Sequence, residues 1–123
     1  MLHCSNGPTI PFSAPADSKG VLTPEDAFVG ALNTCYMLMF IWAAERLKID
    51  LVSYACDATG YVEEHLDRTS HFRKLVLRPR ITVRGCTKET LERALKLAEK
   101  YSLVWQSVKA EVDLKPEITV ESG

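Results

Sequence analysis

The sequence predicts an α+β fold in which helices cover a mainly antiparallel sheet. Three stretches carry that expectation: an uncharged run from Ala27 to Ala44, strict alternation from Phe72 to Arg84, and a helix with a single apolar stripe from Lys88 to Tyr101. Helices and strands that bury one face each must be layered on one another to hide those faces. At 123 residues the chain reads as one domain, residues 1–123, able to bury roughly two-thirds of its unfolded surface.

Residues 1–22 read as a short strand and loop region. Gly7-Pro8, Pro11, Pro15 and the Asp17 to Gly20 stretch are turn formers, and Thr9 to Ser13 fits an edge strand, where proline is tolerated. A helix then begins with a clear signal. Thr23 is a good N-cap, Pro24 suits the first helical position, and Glu25 and Asp26 favour the positive end of the helix dipole. The apolar run continues through Trp42 and Ala44, with charge returning at Glu45, Arg46 and Lys48. Such a helix is about 35 Å long and apolar all round, so it needs cover on more than one side. A second subunit is the expected source of part of that cover.

Eighteen uncharged residues reach the lower limit for a membrane span. Gly30, Asn33 and Thr34 interrupt the run, no basic flank precedes it, and the strands that follow need an apolar cover. A core helix, with no membrane partner, is the expectation.

Leu51 to Val62 reads as a strand with Val52, Tyr54, Cys56 and Ala58 on one face, and Glu63 to Ser70 as a polar turn. In the strand from Phe72 to Arg84, Leu75, Leu77, Pro79, Ile81 and Val83 face inward. Thr87 caps the second helix, whose stripe is Leu91, Ala94, Leu95 and Ala98. Leu103 to Val108 suggests a further helical turn. A last strand from Ala110 to Val120 would face Val112, Leu114, Pro116, Ile118 and Val120 inward. The expected order is β-α-β-β-α-β.

Composition narrows the chemistry. Fifteen basic and sixteen acidic residues leave a net charge of −1, which gives no general attraction for nucleic acid. The Lys/Arg row of the Phe72–Arg84 strand reads as a wet face that discourages edge pairing. No glycine-rich phosphate loop is present, and His3, His65 and His71 lack metal-ligand spacing, so neither a cofactor nor a metal is expected. Cys4, Cys35, Cys56 and Cys86 form no C-x-x-C pair, and no leader-like segment precedes them. Free thiols in a reducing, cytoplasmic setting are expected. Cys35 lies among Ala31, Leu32, Leu38 and Met39, and apolar surroundings raise a thiol pKa. Read alone it is a core cysteine, and Glu25 a helix-start carboxylate.

Thr23-Pro24-Glu25-Asp26 followed by Gly30-Ala31-Leu32-Asn33-Thr34-Cys35 resembles the helix motif of the OsmC/Ohr superfamily of thiol peroxidases. Ala98-Glu99-Lys100-Tyr101 and Val108-Lys109-Ala110-Glu111-Val112 resemble that family's second helix and last strand, so the similarity spans about residues 8 to 121. The resemblance implies an OsmC-like sandwich formed by an intertwined homodimer. It also implies that Cys35 attacks the peroxide O–O bond, with Glu25 holding a cation that stabilises the thiolate. The position matching the resolving cysteine carries Ser102, which cannot form a disulfide. Only Lys19 precedes Cys35 as a basic residue.

Two functions are therefore expected to compete. One is thiol-dependent reduction of organic hydroperoxides or hydrogen peroxide in oxidative-stress defence. Cys35 and Glu25 would be catalytic, and an external thiol, or Cys56 or Cys86, would resolve. Lys19 or an arginine of the partner chain would supply the charge. The other is a catalytically degenerate dimer that binds a small hydrophobic ligand around Met37, Met39, Phe40 and Trp42. RNA binding by the Arg73–Arg84 strand is the distant third.

Overall fold

In the computed structural model, which describes residues 2–3, 9–10 and 22–122, the order is β1 (Leu2–His3), β2 (Thr9–Ile10), α1 (Pro24–Arg46), β3 (Asp50–Glu64), β4 (Ser70–Arg84), α2 (Lys88–Tyr101), α3 (Leu103–Ser107), β5 (Glu111–Leu114) and β6 (Glu117–Glu121). The mixed α+β class is as expected. Ser13, Lys19 and Cys4 lie outside the described residues.

Thr23 caps α1 from an extended backbone, its hydroxyl accepting the Asp26 N–H at 3.1 Å, with Pro24 at the helix start. Leu32, Tyr36, Phe40, Ala43 and Ala44 form the stripe of α1 that is fully or almost fully buried. It meets Leu75, Leu77, Ile81 and Val83 of β4, and Leu91, Ala94, Leu95 and Ala98 of α2, in one core cluster. Burying each large side chain in that stripe stabilises the fold by about 1.5–3 kcal/mol. Aromatic pairs extend the seam: Phe40 with Tyr54 of β3 at 5.6 Å between ring centroids, and Phe28 stacked on Phe72 of β4 at 4.8 Å.

The rest of α1 stays apolar but uncovered. Leu38 is 53% exposed, and Phe28 and Trp42 are each 37% exposed. A run of 18 or more apolar residues passes a length test for a membrane span; here its central stripe is packed into a protein core.

The sheet is mainly antiparallel, as expected, through its long hairpin, and two short parallel strands make it mixed. β3 and β4 form a long antiparallel hairpin, but β5 and β6 both run parallel to β4 along its other edge. The single last strand also divides in two. Pro116 has no N–H to donate, and the ladder breaks there, with Lys115 N–H donating to Leu77 O at 2.8 Å between the two short strands. Ile118 and Val120, expected inside, are 38% and 52% exposed.

A bulge corrects one further face. Leu51 pairs with Val83 and Ser53 with Thr82, leaving Val52 as the extra residue, and it is turned out to 42% exposure. Tyr54, Cys56 and Ala58 do share the half-buried face. At the far end of the hairpin, residues 61–71 are all exposed, and Arg68 takes a positive φ of 70° in the turn.

Candidate functional site around Cys35

Cys35 sits midway along α1, one residue before the buried Tyr36. Tyr36 fixes this part of the helix: its hydroxyl donates to Leu95 O of α2 at 3.2 Å, and its ring lies 5.5 Å from that of Trp105 in α3. Burial pushes the Tyr36 phenol well above its usual pKa, with Glu99 and Cys56 adding to the effect.

The break between α2 and α3 places the next group. Ser102 leaves the helix with an extended backbone (φ −77°, ψ 107°), ends α2 and begins α3. Its side chain is fully buried, and its Oγ accepts the Trp105 N–H at 3.3 Å. The hydroxyl proton is then free to point elsewhere, and Ser102 Oγ–H donates to Cys35 Sγ at 3.2 Å. Residues 67 apart in sequence are thus joined at their side-chain tips. Cys35 itself is partly buried.

Glu25 does not join this pair within one chain. α1 is helical from Pro24 onward, so the ten-residue step from Glu25 to Cys35 spans about 15 Å of axis. Glu25 is exposed in the first turn. Lys19, the expected local cation, lies outside the described residues.

The three described cysteines, Cys35, Cys56 and Cys86, are free thiols. Cys56 faces α1, its backbone carbonyl accepting from Asn33 Nδ2 at 3.2 Å. Burial pushes its thiol up, against smaller opposing effects from the Tyr54 hydroxyl and the Arg78 backbone. Cys86 lies at the corner after β4, beside Leu47 at the opposite end of α1. Cys56 is therefore the cysteine nearer the Cys35 segment.

Of the expected ligand-lining residues, only Met39 and Trp42 line an open cleft. It lies between α1 and α2. Phe40 is fully buried in the core, and Met37 is not in the cleft wall. The structure also joins two histidines that their spacing did not connect. His65 Nε2 and His71 Nδ1 lie 2.8 Å apart across the hairpin turn, their rings stacked. Among the described residues no group of three or more His, Cys, Asp or Glu side chains forms a metal-ligand set.

A family model for OsmC-like proteins matches residues 17–117. The chain belongs to the OsmC-like family. Among solved structures, an OsmC-like protein of unknown function from Vibrio cholerae is 30% identical, with a TM-score of 0.73, over 83% of this chain and 68% of that one. An organic hydroperoxide resistance protein OsmC from Legionella pneumophila shares the fold at 18% identity and a TM-score of 0.65, over 82% and 72% of the two chains. The organic hydroperoxide resistance protein OhrB of Bacillus subtilis does so at 14% identity and 0.59, over 85% and 74%. The comparison with curated proteins finds no match.

The OsmC-like fold explains why Ser102 and Cys35 meet although one lies in each half of the chain: the two helices that carry them pack on each other. Cys35, Met39, Trp42 and Arg46 follow at intervals of four, three and four residues, one face of a helix, and the last three line the cleft.

Proposed function

We propose that this OsmC-like protein acts in peroxide-stress defence by reducing organic hydroperoxides with Cys35 as its single redox-active cysteine. The observation that carries the reading is the 3.2 Å contact from Ser102 Oγ–H to Cys35 Sγ, at the position where the family resemblance calls for a resolving sulfur.

The Cys35 thiolate attacks one oxygen of the hydroperoxide, the O–O bond breaks, and the alkoxide leaves as an alcohol after taking a proton. Cys35 is left as a sulfenic acid. Ser102 donates a hydrogen bond to the sulfur but cannot condense with the sulfenic acid. An external thiol therefore forms a mixed disulfide with Cys35, releasing water. A second external thiol then frees Cys35 and leaves as the oxidised disulfide. Glu25 orients the cation that stabilises the thiolate, and a second copy of the chain brings the two groups within reach. The uncovered apolar surface of α1 around Leu38 supports such a homodimer. The setting is cytoplasmic, where reductant thiols are abundant.

The test is to treat reduced protein with cumene hydroperoxide, trap sulfenic acid with dimedone and locate the adduct by mass spectrometry. Cys35 is expected to react faster than Cys56, Cys86 or any thiol of the urea-unfolded chain. Glu25→Gln is expected to slow it without changing thermal stability. Equal reactivity of Cys35 in the folded and unfolded chains overturns the proposal.

A further inference from the structure

β4 sends Leu75 and Leu77 into the core cluster beneath α1 and α2, so strand alternation turns Lys74, Val76 and Arg78 to the opposite side of the sheet. Val76 is nonetheless only 2% exposed, although it is not part of that cluster. Long side chains stand around it, and their stems cover apolar surface while their heads stay in water. Together with Val76, the residues Tyr61, Arg73, Lys74, Arg78 and Lys115 line a pocket of about 170 Å³. A second copy that covers α1 approaches from the helix side, so the exposure of this face does not depend on it.

Two local irregularities gather the charges. Tyr61 pairs with Lys74 and Val62 with Phe72, so Arg73 is an extra residue in β4, and a bulge re-aims the side chains beside it. Lys115 lies in the link between β5 and β6, anchored by its N–H bond to Leu77 O at 2.8 Å. Four cations thus line one small pocket with an apolar floor, and their counter-charge is incomplete. Asp113 serves both Lys74 at 3.5 Å and Lys115 at 3.9 Å. Asp57 lies opposite Arg78 in register, but its carboxylate pairs with Arg80. Glu111 lies opposite Lys74 without coming within 4.0 Å of its ammonium group. Among the described residues no carboxylate oxygen lies within 4.0 Å of Arg73 or Arg78. Two guanidinium forks beside two ammonium groups match a tetrahedral dianion better than a planar monoanion. The low-dielectric floor strengthens each of these attractions.

We propose that this pocket binds the phosphate group of a small phosphomonoester. Arg73 and Arg78 offer paired N–H donors to its oxygens, Lys74 and Lys115 act as point charges, and the organic part lies against the Tyr61 ring, which is 41% exposed. The chain as a whole is close to neutral and has no general pull on long polyanions, which favours a single phosphate over nucleic acid. The pocket lies across the sheet from α1 and requires neither Cys35 nor a peroxide.

The test is a titration of the isotope-labelled full chain with phenyl phosphate at about pH 7.5, where a phosphomonoester is mostly a dianion. It is read from the backbone amide resonances of Val76 and Lys115, with Leu95 of α2 as the internal reference. A saturable shift at Val76 and Lys115 is expected, with Leu95 unchanged. Phenyl sulfate, a monoanion of nearly the same shape, is expected to bind at least about tenfold more weakly, and inorganic phosphate more weakly because it leaves Tyr61 uncontacted. The double variant Arg73→Gln, Arg78→Gln is expected to weaken phenyl phosphate binding by about tenfold or more, as loss of charge-assisted pairs does. Lys96→Gln, on α2 and remote from the pocket, is expected to leave it unchanged. Both arginines are exposed, so melting temperature should hold. Four results overturn the proposal: no saturable shift at Val76 and Lys115, phenyl sulfate or inorganic phosphate binding as tightly as phenyl phosphate, unaltered binding in the double variant, or an oligothymidylate displacing phenyl phosphate at far lower phosphate concentration, which assigns the face to nucleic acid.

Discussion

Replacing Ser102 by cysteine tests the site most directly. The side-chain tips of Ser102 and Cys35 already touch at 3.2 Å, so Ser102→Cys is expected to form an intramolecular disulfide with Cys35 on mild oxidation. The loop closed would span the 67-residue separation, and the lost chain entropy of the unfolded state corresponds to about 4 kcal/mol. Against this, the Ser102 hydroxyl caps the Trp105 N–H, and losing a cap of that kind costs about 1 kcal/mol. The reduced variant should therefore be slightly less stable than the parent. The oxidised variant should be more stable by about 3 kcal/mol, or roughly 10 °C in melting temperature for a chain of this length. Intact mass (a loss of two hydrogens), a thiol count and melting curves with and without reductant are the assays. If oxidation leaves both thiols free, or links Cys35 to Cys56 instead, the inferred neighbourhood of Cys35 is wrong.

Two further predictions concern the frame around the site. A Cβ at Gly60 would lie 2.6 Å from the Phe72 ring and 2.9 Å from Val29, and Phe72 is pinned by its stack on Phe28. Gly60→Ala is expected to destabilise the fold by about 1–3 kcal/mol in urea unfolding, and Gly60→Ala with Phe72→Leu to recover part of that loss. Burial raises the ionisation of Cys56, Tyr36 and Tyr54 above their unfolded values, so the folded state holds these protons to higher pH than the unfolded one. Their contribution is complete below the unfolded thiol pKa of about 8.5 and is lost as pH rises beyond it, so melting temperature should fall from about pH 8.5 upward. Cys56→Ser is expected to delay the onset of that fall toward the tyrosine range.

Much of the architecture could be read from residue order because local signals and burial agreed. Thr23-Pro24 fixed the start of α1, the four-residue stripe of α2 fixed its buried face, and alternation from Leu75 to Val83 fixed that of β4. The misreadings arose where alternation says nothing about partners. Residues 110–120 alternate well, yet the sequence pattern contains neither the parallel pairing with β4 nor the interruption at Pro116. At Val52 a single bulge residue reversed the inside and outside faces, which a period-two pattern cannot register.

The candidate site was legible only in part, for a similar reason. The contact between Cys35 and Ser102 followed from the resemblance of two separate helices, not from spacing. His65 and His71 are brought together by the hairpin turn alone.

The hairpin carries a mechanical consequence. Strands of 15 residues extend about 50 Å, whereas α1 reaches only about 35 Å, so the ribbon overhangs its supporting helix. Beyond the Phe72–Phe28 stack it is a cantilever, held among the described residues by its own rungs. Fraying there disturbs none of the packing between Leu75 and Val83, so the tip breathes on a faster clock than the root to which it is anchored.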